Sequence, residues 1–227
     1  KNIQNERLKE LNLESNFETE HFIIHYCSSE IGPDSVSKIG EYAEAAYEPV
    51  KERLESQYQR KTNIILKKDL ISKDATGAAH AGMIYLPPTI EPTTRETVVH
   101  EFNHVIIEDK TSGNCPRWLN EGVALFMVES IMNVSYELGE DYLNLNEHYT
   151  MAELDDFNNI RYIPLAYRQS LFIVRYVVDI HGEEKLLQIL SDLNCREPSL
   201  PKIMEDRLGM DYKTFEQKAY EWEVEKE

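Results

Sequence analysis

The stretch Val99-His100-Glu101-Phe102-Asn103-His104-Val105 places two histidines four residues apart, with a glutamate directly after the first. On a helix, residues at this spacing project from the same face, so both imidazoles can approach one cation from adjacent turns. A glutamate about 100° around the helix from His100 flanks a metal-bound water without ligating the metal, as a general base must. The pattern therefore predicts two metal ligands, His100 and His104, and a base, Glu101.

The same histidine pair has a simpler explanation, in which one is a hydrogen-bonded core residue and the other lies on the surface. A third ligand decides between the two. After a polar loop, Trp118-Leu119-Asn120-Glu121-Gly122 begins an apolar helix and places Glu121 in the first turn. A carboxylate there also complements the helix dipole without any metal. Following the histidine pair, however, Glu121 completes the two-His, one-Glu set of catalytic Zn²⁺, which keeps its fourth position open.

The hydrophobic periodicity changes about halfway along the chain. Residues 19–27, 63–66 and 82–86 alternate or run apolar like short strands, and residues 35–58 repeat apolar side chains at helical spacing. From residue 93 onward the pattern is helical, over 94–109, 119–133, 139–147, 165–181, 183–193, 200–208 and 212–224. This predicts an α+β protein, a single catalytic domain over 1–227 with a small α/β lobe (17–110), a helical lobe (111–227) and a cleft between them.

Composition excludes several classes of function. Lys and Arg total 24 against 41 Asp and Glu, a formal charge of -17 that repels nucleic acid and anionic lipid surfaces. The acidic residues are spread over most helices, which is typical of a solvated surface. No apolar run is long enough to span a bilayer. Cys27, Cys115 and Cys195 are few and far apart, which argues against a disulfide framework, although one bridge stays open.

The sequence HEFNH followed by WLNEG resembles the gluzincin zinc metallopeptidases, of the thermolysin and aminopeptidase N types, and most closely the peptidase MA-like domains. The resemblance implies a zincin-like fold with a mixed sheet and an edge strand beside the active site. It also implies a peptide or protein substrate and a secreted or cell-envelope location, with any export signal outside this sequence. The oligomeric state stays open.

A tyrosine of the aminopeptidase N group stabilises the oxyanion from the start of a helix. Leu165 to Ser170, followed by Tyr176 and Gly182, reproduces the spacing of that helix. By this resemblance Tyr167 is the oxyanion donor. The alternative is that Tyr167 only packs in the helical lobe, with Tyr162 and Tyr176 as competitors for the role.

The stretch from Thr76 to Leu86 resembles the edge strand that pairs with substrate main chain in gluzincins. The resemblance implies that Gly82, Met83 and Ile84 bind substrate. The aminopeptidase N group has Gly-x-Met-Glu-Asn here, and its glutamate holds the free amino group of the substrate. Because this chain continues Ile84-Tyr85 instead, it resembles an endopeptidase more than an aminopeptidase.

Other departures keep a second hypothesis open. The aminopeptidase N group has an acid seven residues after the ligating glutamate, where this chain has Val128, and Glu129 takes that role only with a change of geometry. The leading prediction is a zinc-dependent peptidase. The alternative is an inactive gluzincin-like domain that binds a peptide or protein partner, with zinc holding the fold. A helical protein with no metal at all is the least favoured reading.

Overall fold

The computed structural model of the chain describes residues 8, 10–11, 13–71, 75–136 and 148–226. Two compact units, Lys1–Ile106 and Ile107–Glu227, make up the chain. The strands are β1 (Ser15–Glu18), β2 (Phe22–Tyr26), β3 (Thr62–Leu66), β4 (Ala78–His80) and β5 (Met83–Leu86). The helices are α1 (Pro33–Arg53), α2 (Thr94–Thr111), α3 (Arg117–Met132), α4 (Met151–Leu154), α5 (Ile163–His181), α6 (Glu183–Asp192), α7 (Leu200–Leu208) and α8 (Tyr212–Lys226).

Strands followed by helices are what the sequence pattern predicted, and the α+β class is confirmed. The division between the two units falls inside α2, whereas the predicted boundary lay at 110/111. The cleft between two lobes stays a prediction. The predicted helix over 139–147 lies outside the described residues.

The five strands form one mixed sheet in the order β1-β2-β3-β5-β4. The three inner strands β2, β3 and β5 run parallel, and each edge strand is antiparallel to its neighbour. A parallel pair needs a crossover connection, and α1 supplies it between β2 and β3. Ile24, Ile64 and Ile84 are paired across the inner strands and are fully buried. The other face buries Ile65 and Tyr85 beneath the N-terminal residues.

Helix α1 ends earlier than the predicted residue 58 because the chain takes a left-handed cap. Glu55 has a φ of 48°. The Ser56 N–H donates to the Lys51 carbonyl (2.9 Å) and the Glu55 N–H to the Glu52 carbonyl (3.1 Å). This pair of bonds is the Schellman arrangement, which closes a helix after its last regular turn.

Three short elements carry no clear sequence pattern: β1, β4 and α4. Strand β4 is Ala-Ala-His, which has no strand propensity of its own. It forms because Ala81 and Gly82, with φ of 54° and 68°, make a two-residue hairpin turn into β5. Positive φ at both central residues is the requirement of the type I′ turn that matches strand twist.

Helix α2 is fixed to the first unit through Phe102, which is fully buried. Its ring lies 5.2 Å from Phe22 of β2 and 5.6 Å from Tyr47 of α1, measured between ring centroids. Tyr58 adds a third ring at 6.3 Å. Aromatic pairs at these distances stabilise beyond the area they bury. This contact fixes which side of α2 faces the core.

Helices α3 and α5 of the second unit approach each other closely at Gly122. A Cβ atom built on Gly122 would lie 2.2 Å from the Ser170 carbonyl oxygen, well inside any real contact. At the other end of α5, Tyr176 lies 5.6 Å from Phe215 and 6.1 Å from Trp222, both on α8. The long helix α5 therefore holds the helices of this unit together.

Membrane-spanning helices and disulfide bonds, both considered from the composition, can be checked in the structure. Among the described residues, no helix has both the length and the apolar character that a membrane span requires. Cys27, Cys115 and Cys195 are all free thiols, so the bridge that the sequence left open is not formed.

The close approach at Gly122 gives a stability prediction. In an ordinary helix interior, Gly→Ala stabilises by up to about 1 kcal/mol. At residue 122 we expect the opposite sign, a loss of about 3 kcal/mol in the free energy of unfolding, because the new methyl group overlaps rigid backbone. Urea unfolding at fixed metal content measures this change.

The matched control is Gly40→Ala in α1. The atoms nearest to a Cβ there would be side-chain ends, at 3.0 Å from Phe17 and 3.1 Å from Thr19. Because these ends can move, we expect a smaller loss than at Gly122. Equal or greater stability of the Gly122→Ala protein would contradict the packing described here.

Candidate metal centre

The side of α2 opposite Phe102 presents two histidines. Val98, Val99, Val105 and Ile106 are also buried, so the apolar face of the helix is fully used for packing. His100 and His104 are each half-buried. Their Nε2 atoms lie 3.0 Å apart and their rings are perpendicular. Two ring nitrogens that meet at one point are the arrangement predicted from the four-residue spacing.

Helix α3 supplies Glu121. The helix begins at Arg117, two residues before the predicted start, so Glu121 lies in the second turn rather than the first. The first turn of α3 contains no acidic residue. Since the interaction of a charge with the helix dipole falls off within one turn, the dipole alone is a poor explanation for a buried carboxylate here. Glu121 is 9% exposed.

One ligand atom from each of His100, His104 and Glu121 lies within 4.8 Å of the others. The distances and ligand types of this group can be compared with those of a tetrahedral zinc site. Two imidazole nitrogens bound tetrahedrally at ordinary zinc distances stand roughly 3.3 Å apart. The observed 3.0 Å is close to that separation, and a carboxylate oxygen is the usual third ligand of an open site. The three residues therefore fit Zn²⁺.

Glu101 follows His100 on α2 and is 5% exposed. A carboxylate seldom lies this deep unless it is paired or has a function. Gly77, just before β4, lies against it: a Cβ atom at residue 77 would stand 2.8 Å from Glu101 Oε1.

Tyr167 lies in the second turn of α5 and is half-buried. Its ring meets Phe157 edge-on at 5.3 Å. The Arg117 guanidinium stacks over the same Phe157 at 4.4 Å, and Arg117 Nε lies 3.9 Å from Glu121 Oε1. A short series of contacts therefore links Tyr167 to Glu121.

Asp155, which the sequence analysis did not single out, also contacts the start of α3. Burial raises the pKa of its carboxyl above the ordinary value, and a hydrogen bond from the Arg117 N–H opposes that rise. An acceptor at this N–H satisfies one of the unpaired donors of the helix end. No signal in the sequence marks Asp155, because it follows α4, which is only four residues long.

The sequence leaves open whether Glu129 orients one of the candidate ligands, and in the structure its carboxylate is held by Arg175. Arg175 donates to both carboxylate oxygens of Glu129, and its Nε lies 3.1 Å from Oε2. The Tyr136 N–H donates to Glu129 Oε1 at 2.6 Å. A bidentate arginine pair of this kind has a fixed geometry. Val128 is fully buried.

The predicted edge strand requires a correction. The stretch from Thr76 to Leu86 forms two strands, and only the first, β4, lies at the edge of the sheet. Met83 and Ile84 lie on β5, which is paired on both sides, and both are fully buried. Gly82 lies in the hairpin turn. Backbone that is paired on both sides has no hydrogen-bonding groups left for another strand, so the edge belongs to Ala78–His80.

The chain was compared with known families. The family model described as Peptidase MA superfamily matches residues 55–222, a span that includes β3 to β5, the candidate metal ligands and most of the helical unit. No curated protein matches the chain. Since the match covers most of the sequence, the chain belongs to the peptidase MA superfamily.

Proposed function

We propose that this protein is a zinc-dependent metallopeptidase that hydrolyses peptide bonds. The cluster of His100, His104 and Glu121 beside a buried Glu101 is the observation that carries the proposal. The cluster supplies a metal site with an open position, and Glu101 supplies a base on the same helix. Family membership supports a peptidase, because the peptidase MA superfamily is named for that activity.

Zinc bound at this cluster would lower the pKa of a coordinated water toward ~7 and polarise the carbonyl of the scissile bond. Glu101 takes the proton of the attacking water and then passes it to the leaving nitrogen. A base that sits one residue after a ligand is held at a fixed angle to the site by the helix itself. Its burial excludes bulk water from the proton transfer.

Tyr167 is proposed to donate its hydroxyl hydrogen to the oxyanion that develops on the carbonyl oxygen. The contacts through Phe157 and Arg117 support this role, because they tie the Tyr167 ring to the helix that bears Glu121. A donor fixed before the reaction begins needs no reorganisation in the transition state.

The substrate is proposed to pair with the exposed edge of β4, because peptide main chain adds to a free sheet edge. Endopeptidase action is favoured over aminopeptidase action. Residues 75–86 contain neither Asp nor Glu, so neither β4 nor β5 bears a carboxylate to hold a free amino group. His80 is exposed at the end of β4.

One observation favours the alternative, an inactive domain that binds a peptide or protein partner. The position seven residues after Glu121 is a buried valine, and the neighbouring Glu129 is paired with Arg175. Such a domain would hold zinc for stability and cleave nothing.

Glu101→Gln tests the mechanism. We expect the variant to keep its zinc and to lose at least about 10²-fold in kcat, because an amide cannot accept the proton. The assay is cleavage of an unbiased peptide library with and without chelator. Glu108→Gln, on an exposed position of the same helix, is the matched control and should cleave normally. A kcat of Glu101→Gln equal to that of the wild type would contradict the mechanism.

Metal content tests the ligand set. Protein purified without added metal should contain about one zinc per chain, as expected of a three-ligand site. His104→Ala should contain almost none, whereas His80→Ala, which removes an exposed histidine, should match the wild type. Elemental analysis after gel filtration measures this, and full zinc in His104→Ala would exclude His104 as a ligand.

Tyr167→Phe separates a catalytic tyrosine from a packing one. Losing one oxyanion donor costs about 10²-fold or more in kcat, with little change in stability because only a hydroxyl is removed. Tyr162→Phe, at the start of the same helix, is the control. If both variants keep full kcat, the role of Tyr167 is limited to packing.

A further inference from the structure

Gly77 lies where any side chain would collide with the proposed base. A Cβ atom built on it would stand 2.8 Å from Oε1 and 2.9 Å from Cγ of Glu101, and 2.7 Å from Cγ2 of Thr97. Real Cβ atoms essentially never show contacts this short, so the neighbours would have to move. Gly77 is half-buried and precedes β4 directly.

The need for glycine here does not come from the backbone. Among the described residues, the glycines with positive φ are Gly82, Gly113, Gly182 and Gly209, and Gly77 is not one of them. Its φ therefore does not require a glycine. A side chain at residue 77 would instead displace its neighbours, which are Thr97 and Glu101 of α2.

We propose that Gly77 is a positioning residue, which leaves the space in which the Glu101 carboxylate takes its working position. This inference rests on the proposed function, since it gives Glu101 the role of base. The main chain at residue 77 lies beside the Glu101 carboxylate. It can approach this closely because residue 77 has no side chain. A Cβ atom would push the carboxylate by at least about half an ångström to restore normal contact.

Thr97 allows the effect on Glu101 to be isolated. Its hydroxyl donates to the Thr93 carbonyl at 3.1 Å, and its methyl carbon is the Thr97 atom nearest to a Cβ built on Gly77. Thr97→Ser removes that methyl group and retains the hydroxyl. In the double variant Gly77→Ala/Thr97→Ser, therefore, Glu101 is the close neighbour that still has to move.

The test compares Gly77→Ala/Thr97→Ser with Thr97→Ser alone, each loaded with zinc. We expect kcat to fall by about 10- to 100-fold, since a misplacement of about 1 Å in a catalytic group costs up to 10²-fold. KM and zinc content should change little. Gly32→Ala, where a new Cβ meets nothing within 4 Å and φ is ordinary, should keep wild-type kcat.

A second measurement needs no activity. Crystal structures of the same two variants should show the Glu101 carboxylate displaced in the alanine variant, with the backbone of α2 in place. An undisplaced carboxylate overturns the proposal, and so does an unchanged kcat or a loss confined to KM. If the wild type cleaves no peptide, the proposed function fails by itself, and the positioning role for catalysis fails with it even if the carboxylate moves.

Discussion

The packing of Phe102 between Phe22 and Tyr47 determines the rotation of helix α2 about its own axis. Successive residues of a helix are related by about 100°, so fixing one buried ring fixes the direction of every other side chain on that helix. With Phe102 in the core, His100 and His104 are directed away from it. The candidate metal site therefore depends on aromatic packing around α2 as much as on the candidate ligands themselves.

Two glycines lie next to the proposed chemistry, and both are explained by close approach rather than by flexibility. Gly122 follows Glu121, the proposed third ligand, and lets α3 approach the backbone of α5. Gly77 faces Glu101 and lets the main chain before β4 approach the carboxylate. At each glycine, a carboxylate with a proposed function lies beside a surface that a single methyl group would push away. Packing at native density leaves no slack to absorb such a group.

The sequence predicted the helices well, because apolar spacing is a local pattern, but it did not predict which strand lies at the edge of the sheet. Helices α2, α3 and α5 to α8 follow from apolar spacing, and their observed bounds differ from the predicted ones by at most two residues. Helix α4 was not predicted, because four residues are too few to show a helical period. The resemblance assigns residues 76–86 to one edge strand, because Ala-Ala-His carries no strand signal that would separate β4 from β5 at the turn of Ala81 and Gly82. That error moved the sheet edge onto Met83 and Ile84, which are interior. Strand order is a long-range property, so propensity alone does not give it.

The sequence by itself determined which residues are the candidate donors and the candidate base, because a four-residue spacing on one helix fixes the relation of His100, Glu101 and His104 through local geometry. It also indicated Glu121, but only as a plausible third ligand. Only the tertiary structure shows that Glu121 is buried with a ligand atom within 4.8 Å of the histidine ligand atoms. It also decides that β4 rather than β5 lies at the edge of the sheet, and that Gly77 lies against Glu101. These are contacts between separate elements, and they are set by packing and hydrogen-bonded register, which no local pattern encodes.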